Sequence, residues 1–159
     1  MKPIIAIGGG LAGACAATLL HETVKRIIPE APRLDLLGMN AISKGSKTKN
    51  RKKLFALALA GDILTNSLYY SLSGVGKEKN LWVKSSLLGL AAGLSAVVMP
   101  GPLGLNEKHT NKKITTKIIT VGLYIAGAIV TTAMMKLLEK RKQKRHKVWE
   151  QKLVTSAMV

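Results

Sequence analysis

The sequence predicts an all-α, polytopic membrane protein with about four transmembrane segments joined by short, lysine-rich loops. Hydrophobic residues make up 47% of the 159-residue chain, yet its formal net charge is +17. The charges are not mixed with the apolar residues along the chain, because nearly all of them lie in a few stretches between long apolar runs. Such a separation is typical of membrane spans and the loops that connect them.

Four apolar runs are long enough to cross a bilayer. The first has no charge over 18 residues, and as a helix it measures roughly 27 Å, close to the thickness of the hydrocarbon core. The second contains a single charged residue, Asp62, and the fourth has an uncharged stretch between Lys117 and Lys136. The predicted segments are residues 3–20, 54–76, 81–105 and 114–138.

Most of the positive charge lies in the connection 21–53 and in the tail 139–159. Pro29 and Pro32 interrupt any helix in the connection, and the apolar residues between 34 and 42 are expected to lie on the membrane surface as a short amphipathic piece. Residues 43–53 contain no apolar side chain and are predicted to form a mobile basic loop. Anionic lipid headgroups are the expected partner of these basic stretches.

The distribution of Lys and Arg does not choose an orientation if all four segments cross. One side of the membrane then has 12 of these residues and the other side has 13. Three interpretations remain: insertion in both orientations with antiparallel pairing, orientation by something other than charge, or a segment that does not cross. If one segment does not cross, the glycines and prolines of segment 81–105 favour that segment as a re-entrant loop. One side of the membrane would then have 17 Lys and Arg residues and the other would have 8.

Small residues recur at intervals of four in the predicted helices. A Gly-x-x-x-Gly pattern places the small residues on one face, where a second backbone can approach closely. The helices are therefore expected to pack tightly on each other or on another subunit. The predicted packing positions are Gly9, Gly13, Ala17, Ser85, Gly89, Gly93, Gly122 and Ala126.

The glycines of residues 8–13 also fit the G-x-G-x-x-G pattern of a dinucleotide-binding fold. That fold needs an acidic residue after a second strand about twenty positions on. Glu30 lies between two prolines and Asp35 follows no strand-like run, so the packing interpretation is preferred and no cofactor is expected.

Asp62 is the sharpest candidate for a functional residue. A carboxylate inside a membrane span costs a few kcal/mol to insert, so it usually faces protein or water. Polar residues follow it at helical spacing on one face. The face serves either as a path for protons, cations or a substrate, or as a structural hydrogen-bond seam. Its members are Asp62, Asn66, Tyr69, Tyr70 and Ser73.

No catalytic or metal-binding constellation is recognisable, so an enzyme is the least supported class. The leading hypothesis is a non-enzymatic helical module, expected in a membrane of the bacterial inner (cytoplasmic) type, that self-associates or is a subunit of a larger assembly. The first alternative is a small channel or transporter that uses the Asp62/Asn66 face. The second is a membrane-tethered basic platform that binds anionic lipid or RNA, although nucleic acid is the less favoured partner because no aromatic residues interleave with the basic ones.

Overall fold

The computed structural model describes residues 1–48, 50–76 and 78–157, and every regular element in this part of the chain is helical. The predicted all-α class is therefore confirmed. Lys49, Lys77 and the last two residues, which the charge count and the predicted tail include, lie outside the described residues. The helices are α1 (Pro3–Ile27), α2 (Leu34–Gly45), α3 (Arg51–Ser71), α4 (Leu81–Val98), α5 (Lys108–Asn111) and α6 (Ile114–Ala157).

Helix boundaries follow local chemistry. Pro3 occupies the first turn of α1, where a missing backbone N–H is tolerated, and the helix ends at Ile27, two residues before Pro29. Asn50 caps α3, since its side-chain oxygen accepts hydrogen bonds from the backbone N–H groups of Lys52 (3.1 Å) and Lys53 (3.2 Å). Helix α1 thus continues beyond the predicted span 3–20 and ends close to Pro29, the residue expected to interrupt it.

The four long helices run alternately up and down. At one end of the bundle, Ile5 of α1, Leu81 of α4 and Met135 of α6 share one buried cluster, and we call this the tail end. At the opposite end, the loop end, the backbone N–H of Arg33 donates to the carbonyl of His109 at 2.8 Å. The start of α1 and the point where α6 leaves the bundle therefore both lie at the tail end.

Helices α1 and α6 form the central pair, with α3 packed on α1 and α4 packed on α6. Glycines create these close contacts. A Cβ added at Gly13 would lie 2.5 Å from the carbonyl oxygen of Gly127, and one added at Gly93 would lie 2.7 Å from Val121 Cα. Both distances are impossible for real side chains, so the helix spacing depends on the absence of a side chain at these positions.

The distribution of side chains is the reverse of that in a water-soluble protein. Several of the fully buried side chains are hydroxyl residues, among them Thr120, Thr131 and Thr132, each 0% exposed. Large aliphatic residues face outward, as Leu64 (62% exposed) and Ile118 (65% exposed) illustrate. A surface this rich in leucine and isoleucine is suited to hydrocarbon, and the chain is an integral membrane protein.

Three helices are long and apolar enough to cross a membrane: α1, α4 and α6. Helix α3 is not among them, because Asp62, Asn66 and neighbouring polar residues lower its mean hydropathy. Four spans are thus not confirmed, and the crossing of α3 stays a prediction. The outward side of α3 nevertheless has an apolar row formed by Leu57, Ala60, Leu64 and Leu68.

Segment 81–105 is shorter as a helix than predicted. Helix α4 ends at Val98 because Pro100 follows, and the chain then turns through Gly104, which has a φ of +65°. The helix is continuous from the tail end to the loop end, where Lys44 donates to the carbonyl of Gly104. It therefore crosses the bundle and does not return to its starting end as a re-entrant loop would.

The connection 21–53 is more ordered than predicted. Residues 21–27 complete α1, and residues 34–45 form helix α2, in which Gly38 packs against Ala58 of α3. That this piece lies on the membrane surface stays a prediction. Residues 43–45 and 51–53 are helical, so the irregular part of the basic loop is limited to residues 46–50 apart from the undescribed Lys49. The tail continues α6 without interruption to Ala157.

We predict that Thr48→Cys and His109→Cys are labelled from one side of the membrane and Lys79→Cys from the other, in a Cys15→Ala background. The reason is that α3 separates residue 48 from residue 79, and α4 separates 79 from 109. An impermeant thiol reagent on sealed vesicles provides the measurement. If the protein inserts in both orientations, the labelled fractions at 48 and 109 should agree and that at 79 should be their complement. Equal labelling of 48 and 79 would show that α3 does not cross.

Candidate functional site

Asp62 lies midway along α3 on the side that faces α1. One carboxylate oxygen accepts a hydrogen bond from Asn66 Nδ2 at 2.9 Å, and the other accepts one from Thr18 Oγ1 at 3.3 Å. Both donors are neutral. Within the described residues, no lysine, arginine or histidine forms an ion pair with Asp62.

The other three members of the predicted polar face bond to backbone carbonyls. Tyr69 donates to the carbonyl of Leu88 in α4 at 3.2 Å, and Tyr70 donates to that of Tyr124 in α6 at 2.9 Å. Ser73 donates to the carbonyl of Tyr70 at 2.8 Å. Each phenol therefore ties α3 to another helix, which is a structural arrangement. The structure brings Asp62 and Asn66 together, and Tyr69, Tyr70 and Ser73 form a separate group nearer the tail end.

A cavity of about 330 Å³ lies beside Asp62, between α1, α2 and α3 in the loop-end half of the bundle. Thr18, His21 and Thr65 contribute polar groups to its wall. Most of the remaining wall is apolar and comes from α2 and α3, with Leu37 and Phe55 as examples. The arrangement is that of a small-molecule pocket, which is typically apolar with a few convergent polar groups.

Sequence reasoning missed Thr18 and His21 as members of this site. Both lie in α1 one turn apart, and His21 Nε2 donates to the carbonyl of Pro32 at 3.0 Å, an arrangement that assigns the proton to Nε2. The bond holds the ring at the cavity and fixes the turn that leads into α2. The available signal was the position of two polar residues on one face of an otherwise apolar helix.

A network of ion pairs lies on the cavity wall nearest the loop end. Lys25 Nζ bonds to Glu22 and, at 3.3 Å, to Asp35, while Arg33 bonds to Asp35 at 3.0 Å. Burial raises the pKa of the Asp35 carboxyl, but the hydrogen bonds and charges of Arg33 and Lys25 lower it by more, from the ordinary 3.8 to about 2. The carboxylates of Glu22 and Asp35 are therefore already paired with cations.

The predicted packing positions divide into two groups. Gly9, Gly13, Ala17, Gly89 and Gly93 all lie against α6, and Ser85 is buried at 1% exposure. For Ala17 the partner is Gly127, where an added Cβ would lie 2.9 Å from the Ala17 methyl group. Gly122 differs, because a Cβ added there meets no atom within 4 Å, and Ala126 is only half-buried. These two positions do not close a packing face within this chain.

The basic tail is an exposed extension of α6. Residues 143–151 are all exposed, and Trp149 and Val148 lie beside Arg141, Lys144 and Arg145 on one face. Where α6 leaves the bundle, Lys136 Nζ lies 5.2 Å from the centre of the Trp82 ring. A lysine and a tryptophan side by side are typical of the membrane–water interface.

The described part of the chain has no group of three His, Cys, Asp or Glu residues that could hold a metal ion. The expectation of no cofactor and no catalytic residue stays a prediction. Comparison with known protein families, curated proteins and solved structures found no match for this chain.

We predict that the free energy of unfolding falls as the pH is lowered from about 4 to 2, and that Asp35→Asn removes part of this dependence. Because the pKa of Asp35 is lower in the folded protein, its ion pairs stabilise the fold above the ordinary pKa and are lost as the pH falls through about 2. Denaturant unfolding in a non-ionic detergent, repeated at several pH values between about 4 and 2, measures this free energy of unfolding. Glu107→Gln, at an exposed loop carboxylate, serves as the control and should keep the wild-type slope. Identical pH dependence for wild type and Asp35→Asn would contradict the prediction.

Proposed function

We propose that this chain is a non-enzymatic membrane module of four crossing helices that associates with further copies of itself. The contrast among the predicted packing glycines carries the proposal. A neighbouring helix occupies the space beside each of four glycines: Gly9, Gly13, Gly89 and Gly93. Gly122, by contrast, faces open space on an outward side of α6. Helix association in lipid relies on small residues that let two backbones approach, and a second copy of α6 supplies the partner that Gly122 lacks.

The surroundings of Gly122 support this interface. Ile118, Ile129 and Ala133 continue the exposed row along α6, and Ala126 lies at its margin. The row is uncharged over its whole length, so it can be buried against another helix without separating a charge from water. We further propose a bacterial-type cytoplasmic membrane, whose anionic lipids would attract the basic tail and loop.

The crossing of α3 is part of this proposal. Asp62, Tyr69 and Tyr70 contact other helices of the bundle, while Leu64 and Leu68 are 62% and 56% exposed on the opposite side. In water such a row would be an unfavourable surface, whereas in hydrocarbon it matches its surroundings. The carboxylate of Asp62 and the two tyrosines lower the average hydropathy of the helix although their polar atoms bond to neighbouring groups of the bundle.

We predict that Gly122→Leu reduces self-association in mild detergent by at least about tenfold in the dissociation constant, since the larger side chain keeps the two backbones apart. Native mass spectrometry and crosslinking in vesicles measure the oligomer. Ala91→Leu, which enlarges another outward-facing small residue on α4, is the matched control and should associate as wild type does. A wild-type protein that is monomeric under every mild condition would refute the proposal, and so would equal effects of the two substitutions.

The cavity beside Asp62 favours a second candidate function, a small channel or transporter that uses the Asp62/Asn66 face. An ionisable group within a bundle, reachable from a cavity and without a cationic partner in the described residues, can bind and release a proton or another cation. The three hydroxyls that bond to carbonyls take no part in this path.

For this candidate we predict that Asp62→Asn abolishes proton or cation flux in proteoliposomes while the protein remains folded, because the amide cannot carry the charge. Circular dichroism and thermal unfolding in detergent verify the fold, and Glu107→Gln controls for the loss of one negative charge. The candidate fails if the wild-type protein passes neither protons nor common cations, or if Asp62→Asn leaves the flux unchanged.

A further inference from the structure

The electrostatics of the cavity beside Asp62 are unusual for this chain. The protein has 25 lysine and arginine residues and only 8 acidic ones, so cations to neutralise a carboxylate are plentiful. Glu22 and Asp35 on the cavity wall are paired with Lys25 and Arg33. Asp62, which lies on the same wall, receives only the neutral Thr18 hydroxyl and Asn66 amide.

Asp62 is half-buried, and a carboxylate that is partly removed from water without a hydrogen-bonded cationic partner is costly when ionised. The cost is removed when the carboxyl is protonated or when a cation enters the cavity. The second route needs a ligand that brings its own positive charge. His21, which also lines the cavity, donates its Nε2–H to the carbonyl of Pro32 and forms no hydrogen bond or ion pair with Asp62 among the described contacts.

The rest of the cavity determines the type of cation. Its volume of about 330 Å³ is at the lower end of the range for small-molecule pockets, about 300–1,000 Å³, and is far larger than a metal ion requires. Leu37, Leu59 and Phe55 are among the apolar side chains of the wall, and they would leave a small hydrated ion poorly solvated. An aromatic ring can also attract a cation through its face.

The position of the cavity is suited to an amphipathic ligand. Helix α2, which forms one wall, lies at the loop end beside the short connections between the spanning helices. A ligand that partitions into the interfacial region of the bilayer would reach the cavity at that depth. Its apolar body would contact α2 and α3 while its charge lies near Asp62.

We propose that this cavity is a binding site for a small organic cation with an apolar body, and that Asp62 supplies the counter-charge. The proposal rests on the second candidate function for the involvement of Asp62, but it concerns equilibrium binding and does not require flux. It identifies the chemical class of the ligand as a hydrophobic ammonium compound.

Benzyltrimethylammonium is a suitable probe, because its charge is permanent and it is small enough to enter a cavity of about 330 Å³. Neopentylbenzene, in which carbon replaces the nitrogen, is an uncharged control of the same shape. Isothermal titration or ligand-detected NMR is carried out on the full chain in nanodiscs of zwitterionic phosphatidylcholine, so that the lipid itself does not attract the cation.

Two variants test charge and volume separately. Asp62→Asn removes the charge and keeps the shape, and we expect binding to weaken by at least about tenfold. Gly61→Leu keeps Asp62 but fills the cavity, since a Cβ at Gly61 meets no atom within 4 Å and this residue lines the cavity. The matched controls Glu107→Gln and Ala91→Leu remove one charge and add one leucine elsewhere, and both should bind as wild type does.

The proposal is supported if wild type binds the cation at one saturable site and both Asp62→Asn and Gly61→Leu lose this binding. It is overturned if wild type shows no saturable binding, if Asp62→Asn binds equally well, or if neopentylbenzene binds as tightly as the cation. Binding without flux would leave this inference standing and remove the transport candidate. Proton flux that depends on Asp62, without cation binding, would do the opposite.

Discussion

Where Gly13 of α1 meets Gly127 and Thr131 of α6, the two backbones lie so close that a single added carbon would collide with a carbonyl oxygen. The hydroxyl at this contact is satisfied within its own helix, since Thr131 Oγ1 donates to the carbonyl of Gly127 at 2.9 Å. Thr120 does the same with the carbonyl of Thr116 at 2.7 Å. These two buried hydroxyls need no partner on the neighbouring helix, so they avoid the penalty of an unpaired polar group, whereas the buried hydroxyls of Ser85 and Thr132 have no hydrogen-bond partner in the described part of the chain.

The remaining architecture follows from that contact. Because glycine and threonine occupy the interior, the leucines and isoleucines are left on the outside, where lipid surrounds them. The two central helices then carry α3 and α4 on their flanks, and Tyr69 and Tyr70 tie α3 to the carbonyls of α4 and α6. Close backbone contact at glycines, together with the two tyrosine hydrogen bonds between helices, defines how the helices meet more than the burial of bulky apolar groups does.

Much of the fold was predictable from the sequence, because the separation of charged from apolar residues is visible in their order along the chain. The helices beginning at Pro3, Leu81 and Ile114 all start within one residue of the predicted segments. The end of α4 was missed by several residues, since the chain beyond Val98 stays apolar although Pro100 prevents a helix. Hydropathy measures solvent preference, and it does not register the backbone restriction of proline.

The site was predictable only in part. Asp62 and Asn66 stand out because polar residues are rare in an apolar helix, and their mutual hydrogen bond follows from a spacing of four. The cavity was not predictable, because it depends on how α2 docks against α3 through Gly38, a contact between elements that are adjacent in sequence but oriented by tertiary packing. The distinction between Gly122 and the other glycines also required the structure, since all of them have the same local pattern.

The unbroken course of α6 has a mechanical consequence. With no proline or glycine between Leu138 and Ala157, the portion beyond the bundle is rigidly joined to the portion packed against α1. At 1.5 Å per residue this arm is roughly 28 Å long, so a tilt of about ten degrees within the bilayer would swing its tip by roughly 5 Å. Any change in lipid thickness or neighbouring helices that reorients α6 is thereby amplified into a lateral displacement on the aqueous side.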